Sequence, residues 1–138
     1  MPVRNFERFE TDLLAHGLIV KNMLKKEHTI DAKGKILGRL AVEAAVLLRA
    51  KNTATFLPRI TPQNIVNVIN TDLMKFTGKK LKQKTYYRHS GYPGGLREET
   101  LEKLFARDSR EVLRLAVYGM LPKNRTRDKI IRNLKLSK

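Results

Sequence analysis

His89 and Ser90 stand side by side just ahead of Gly91, Gly94 and Gly95, a grouping that invites a nucleophile and its base. Chain geometry argues against it. Neighbours on an extended backbone point to opposite faces, so the two are badly placed to exchange a proton. The Gly-x-Ser-x-Gly order of a nucleophile elbow is also absent from this run. Metal chemistry finds no better footing: His16, His28 and His89 are scattered, without a second His or a carboxylate at ligand spacing. With no Cys in the chain there is no thiolate ligand, no thiol nucleophile and no disulfide framework. The glycines match neither a Walker loop nor a dinucleotide fingerprint, and no apolar strand runs into them. The expectation is therefore a protein without catalytic residues, metal, cofactor or small-molecule substrate.

The same segment reads differently as a surface for a polyanion. Tyr86, Tyr87 and Tyr92 are interleaved with Lys82, Lys84, Arg88, His89 and Arg97. Tyrosine faces stack on unpaired bases, while Lys and Arg neutralise phosphates. Glycines let a backbone approach a sugar-phosphate chain where side chains would collide. From Lys75 to Arg97 there are seven basic residues and no carboxylate, and from Lys123 to Lys138 seven more against Asp128 alone. The net charge is +16, of which residues 71–138 hold +11. One such run is ordinarily solvated surface. Two in a small domain repel each other and the rest of the chain, and a bound polyanion supplies the compensation.

The elements that must position these residues fit one domain, since 138 residues leave little room for two. No apolar run reaches the roughly 18 residues of a membrane span. Residues 1–27 read as an N-terminal arm or helix, with Asp12 ahead of Leu13, Leu14, Leu18 and Ile19. Glu7, Glu10, Asp12 and Glu27 are unlike an acid-poor transit peptide, and no apolar stretch suits a secretion signal. Residues 28–138 form the domain proper. Thr29–Ala32 reads as a strand, and the helical spacing of Leu37, Leu40, Ala41, Ala44, Leu47 and Leu48 as a slim helix that packs on a sheet. The β-branched run Ile65–Ile69 reads as a covered strand, with Asn67 the odd member. Phe76–Gly78 and Thr85–Arg88 read as strand segments around a lysine-rich bend, and Ser90–Gly95 as a loop. Helices are expected over Thr100–Arg107, from a Ser109 cap to just before Pro122, and over roughly Asp128–Leu136. Strand, helix, strand and then helices give an α/β domain on a small, mainly parallel sheet.

Tyr86-Tyr87-Arg88-His89-Ser90-Gly91-Tyr92-Pro93-Gly94-Gly95-Leu96 resembles a signature of the ribosomal protein L13 (uL13) family of the bacterial large subunit. Ile30–Lys35 with Leu37–Ala41, Thr77–Lys80 and Ala116–Asn124 resemble further signatures of that family, in its order and at compatible spacing. The resemblance runs from about His28 to Leu136. It implies a three-layer α/β/α fold with a small, mainly parallel four-stranded sheet. It also implies a structural role in the large ribosomal subunit, binding its rRNA and supporting early assembly beside neighbouring large-subunit proteins. On it, Lys79, Lys80, Lys84, Tyr86, Arg88, His89 and Tyr92 fall at matching positions of the basic segment, and Arg39, Lys51, Lys123, Asn124 and Arg125 within or beside motifs. Lys and Arg are expected on phosphates, the tyrosines and His89 against sugars or bases, and Asn124 on a base edge or 2′-hydroxyl. Tyr118 and Met120 are expected to pack. The expected location is the cytoplasmic ribosome, with a processed organellar protein as the variant reading. Two departures stand out: Thr61-Pro62-Gln63-Asn64 replaces a usually acidic, Gly-containing turn, and the chain stops at Lys138, short of a His/Pro-containing segment. The rival reading is a free-standing regulator that binds RNA or DNA away from the ribosome.

Overall fold

A computed structural model describes residues 26–54, 56–58 and 60–138. The arm expected over 1–27 lies outside the described residues except for Lys26 and Glu27. The elements run β1 (Glu27–Asp31), α1 (Leu37–Leu48), β2 (Ile65–Ile69), a 3₁₀ turn (Thr71–Leu73), α2 (Lys80–Gln83), β3 (Thr85–His89), β4 (Leu96–Thr100), α3 (Leu101–Arg107), α4 (Ser109–Met120), α5 (Arg127–Ile131) and β5 (Leu134–Leu136).

Strands β1, β2 and β5 form a parallel sheet in the order β1-β2-β5, with His28 opposite Val66 and Val66 opposite Leu134. The α/β class and the parallel sheet are as expected, but the count of four strands is not. Among the described residues the sheet has three strands, and β3 and β4 pair antiparallel as a separate two-stranded ribbon. Both crossovers step the same way across the sheet, so the right-handed rule sets α1 and α4 on one face. That face carries Ile30, Val66 and Val68, sealed in one core with Leu40, Ala44 and Leu48 of α1. Val112, Leu113 and Val117 of α4 complete the same core. The opposite sheet face bears exposed Thr29 and Lys135 and the half-buried Asn67. There the Asn67 side-chain oxygen is buried without a hydrogen-bond partner among the described residues.

Helix α1 buries Leu37, Leu40, Ala41, Ala44, Ala45 and Leu48, a stripe that follows the 3.6-residue period. Its end is a Schellman turn: the Ala50 N–H donates to the Leu47 carbonyl and the Lys51 N–H to the Val46 carbonyl. Ala50 takes the left-handed conformation there, at φ 55°. The departing Thr61–Asn64 segment is anchored by Asn64, whose Nδ2 donates to the Leu47 carbonyl at 3.0 Å.

Several local expectations are corrected. Asp108, not Ser109, caps α4, its carboxylate accepting the Arg110 N–H, while Ser109 is buried. Ser109 Oγ donates to Asp72 and lies 3.0 Å from Thr71 Oγ1, tying α4 to the 3₁₀ turn. Phe76–Gly78 is not a strand; Lys75 makes an isolated bridge to Ile36, and Phe76 packs edge-on against Phe105 at 5.0 Å. The last helix stops at Ile131 and the chain turns into β5.

At the C-terminal ends of β1 and β2, Asn70 adopts φ 60° and its Nδ2 donates to Asp31 Oδ1 at 2.9 Å, as does the Lys33 N–H. The Asn70 hydrogen bond first, and the Lys33 N–H second, hold the Asp31 carboxyl below its ordinary value. A depressed carboxyl adds stability above the unfolded-state value and loses it as pH falls through the folded value. Asp31→Asn is therefore expected to destabilise the chain at neutral pH and to converge with the native chain in acid. Chemical denaturation at intervals from about pH 7 to about pH 2 measures this, and a gap that widened in acid would reverse the sign.

Candidate nucleic-acid interface

The basic segment folds as a hairpin, with β3 and β4 joined by Ser90–Gly95. The register sets Tyr86 opposite Glu99, Tyr87 opposite Glu98, Arg88 opposite Arg97 and His89 opposite Leu96. Strand alternation sorts these onto two faces. One bears Tyr86, Arg88, Arg97 and Glu99; the other bears Tyr87, His89, Leu96 and Glu98. On the first face Arg88 and Arg97 are directly opposed in the register, a like-charge pair that repels unless an anion lies between. Neither joins an ion pair among the described residues, and Glu99 is taken by Arg107 at 2.9 Å. On the second face Tyr87 is 64% and Leu96 55% exposed, beside His89 and Glu98.

The connecting loop is held by its own backbone. Ser90 N–H donates to the Gly95 carbonyl and Gly95 N–H to the Tyr92 carbonyl at 2.9 Å. A Cβ at Gly95 would fall inside contact distance of Ser90 Oγ and 2.9 Å from the Tyr92 carbonyl oxygen, so only glycine fits. Gly91 N–H donates to His89 Nδ1 at 2.9 Å. With Nδ1 accepting, a neutral ring carries its proton on Nε2. Tyr92 stands at the tip, 75% exposed.

At the base of the hairpin, Lys79 precedes α2, Lys80 opens it and Lys84 follows it, all three exposed. The Lys84 carbonyl accepts the Leu101 N–H at 2.8 Å, tying the hairpin to α3. Its ammonium lies 5.1 Å from the centre of the Tyr86 ring, a cation–π distance. Burial pushes the Tyr86 phenol up, and its hydroxyl is enclosed without a partner among the described residues. Of the hairpin's three tyrosines, Tyr86 is thus the one that packs against the core, while Tyr87 and Tyr92 are the exposed rings.

The hairpin and its base thus unite seven of the expected residues: Lys79, Lys80, Lys84, Tyr86, Arg88, His89 and Tyr92. The others lie apart from it. Lys51 follows the Schellman turn of α1 and shares a depression with Pro122. Exposed Lys123, Asn124 and Arg125 occupy the turn between α4 and α5, and Asn124 lines a second hollow with Arg49. The Asn124 side-chain oxygen already accepts the Thr126 hydroxyl at 2.7 Å, which leaves its amide NH₂ for a ligand. Arg39 is exposed in the first turn of α1 and joins neither group. Arg97 is read in the sequence among the basic residues interleaved with the tyrosines but not among those matched to the family. Its place opposite Arg88 comes only from the β3–β4 register, and the charged composition of Leu-Arg-Glu-Glu-Thr hides that strand. Met120, expected to pack, is 43% exposed.

Comparison with known proteins agrees with this geometry. The family described as ribosomal protein L13 matches residues 25–138. A large ribosomal subunit protein uL13 of Symbiobacterium thermophilum is 45% identical over 116 residues, 84% of this chain and 81% of the relative. One of a Synechocystis species is 46% identical over 117 residues, 85% and 78% of the two chains. One of Lachnoclostridium phytofermentans is 50% identical over 99 residues, 72% and 69% of the two. A basic, aromatic hairpin on a small parallel α/β domain, matched over nearly its whole described length, places the chain in the ribosomal protein L13 family.

Proposed function

We propose that the protein is a structural constituent of the large ribosomal subunit that binds large-subunit rRNA and supports its early assembly. The observation that carries this reading is the unneutralised Arg88–Arg97 pair across the hairpin, which asks for a phosphate between two guanidinium forks. Lys79, Lys80 and Lys84 extend the cationic track along the RNA backbone. His89, through Nε2–H, and the exposed rings of Tyr87 and Tyr92 meet sugars or unpaired bases. Arg39, Lys51, Lys123 and Arg125 take further phosphates, and the Asn124 amide a base edge or 2′-hydroxyl. The work is positional, with no bond made or broken. Neighbouring large-subunit proteins complete the setting, in cytoplasmic ribosomes; among the described residues no helix is long and apolar enough to cross a membrane.

The test is selective binding of large-subunit rRNA over an unrelated structured RNA at about 150 mM salt, where nonspecific attraction is weak. Co-migration with assembled large subunits through a sucrose gradient is the expected companion result. A separate soluble peak would instead favour a free-standing regulator. Within this reading Gly95→Ala is expected to displace the loop and weaken rRNA binding about 3- to 10-fold, the scale of one or two lost contacts. Its thermal midpoint should stay near that of the native chain, because the loop lies outside the core. A large fall in the midpoint would show the loop to be part of the folding unit.

A further inference from the structure

A groove of about 430 Å³ opens between the start of α1 and the end of α4, within the range of ligand-sized sites. Its walls are mostly apolar, with Phe76, Leu115 and Met120 among them, and Lys75, Lys80 and Lys84 line it without any carboxylate. Leu115 and Met120 are 37% and 43% exposed, so the apolar surface is left uncovered by the described residues.

Two glycines border this groove, Gly38 from α1 and Gly119 from α4. Glycine inside a helix is unfavourable and needs a reason. The usual reasons fail at both positions. Neither is in the left-handed conformation, and the residue that ends α4, Leu121, has φ −75°. A Cβ at either would meet nothing within 4 Å, so no neighbouring element needs the room. The space they free belongs to the groove.

Apolar walls under a cationic rim suit a flat apolar group attached to an anion. We propose, resting on the rRNA-binding reading above, that the groove receives one unstacked nucleotide of the bound RNA. Its base lies against Phe76 and Met120, and its phosphates face Lys75, Lys80 and Lys84. RNA fits better than an apolar protein segment because Lys80 and Lys84 also belong to the hairpin's basic group. The groove and the Tyr86 face of the ribbon therefore form one cationic track.

Filling the groove from its own walls tests this. Gly119→Leu and, from the facing wall, Gly38→Leu add a side chain without backbone strain and raise helix propensity, so neither should melt below the native chain. Full-length protein is bound to transcribed bacterial large-subunit rRNA, with affinity and nucleotide-resolution 2′-hydroxyl acylation as readouts. The native chain should alter the reactivity of a nucleotide that each filled variant leaves as in free RNA. The hairpin footprint should survive in both variants, and affinity should fall about 5- to 100-fold, the range of one lost base stack. Unchanged footprint and affinity in both variants overturn the proposal. So does intact RNA binding with exclusion from assembled subunits, which would assign the groove to a protein neighbour. If the native chain itself fails to select this rRNA, the rRNA-binding reading falls first, an outcome distinct from a defect confined to the filled variants.

Discussion

Replacing Lys79, Lys80 and Lys84 together by Ala is expected to flatten the slope of log K against log salt by about 2 to 3 units on large-subunit rRNA. Each phosphate contact contributes roughly 0.7 to 0.9 of a unit through released counterions, so three contacts give that sum. Affinity near 150 mM salt should fall by about 10- to 100-fold, while the thermal midpoint holds or rises. The midpoint follows from position: all three side chains are exposed, no carboxylate among the described residues pairs with them, and none lies in the core. Removing three like charges from a chain of +16 relieves self-repulsion. A slope unchanged within error would mean that these lysines face solvent in the complex.

The second large effect is on folding. Leu40→Ala is expected to cost about 2 to 5 kcal/mol, because Leu40 is 0% exposed in the core and Ala leaves a cavity there. Against a typical stability of roughly 5 to 15 kcal/mol, that removes a large share of the margin. Urea denaturation should show a lower midpoint at an unchanged slope. Val42→Ala on the same helix is the control. Val42 is 52% exposed, and a change within about 0.5 kcal/mol is expected. Equal losses at the two positions would contradict the packing of α1 described above.

The contrast between these residues also shows what a sequence can convey. Leu40 announces its burial because helical spacing repeats over twelve residues of α1, and β2 does so through a β-branched run interrupted only by Asn67. Strand β5 is three residues long, too short for any period, and it follows Ile130 and Ile131 at a spacing that continues the helix. Its identity comes from pairing with β2, a contact made across more than sixty residues of chain. Strand β4 is disguised by Arg97, Glu98 and Glu99, which have low strand propensity and gain it only opposite β3. The chemistry of the site is legible from residue types alone, as tyrosines among lysines with no acid. The partition of those residues between two faces is not, since it follows from a register that needs β4. Nor is the vacancy beside Gly38 and Gly119, because a glycine's spelling does not distinguish a tight contact from an open space.

The hairpin shares no strand with the core sheet, and a lone two-stranded ribbon is marginal in water. Domain and ribbon therefore make two cooperative units of unequal depth. Amide protons of β2 should exchange only through global opening, while those of β3 and β4 exchange through a shallower local one. Engagement with a ligand then pays an ordering cost in the ribbon alone, so affinity and rigidity there are thermodynamically linked while the rest of the molecule stays a fixed mount.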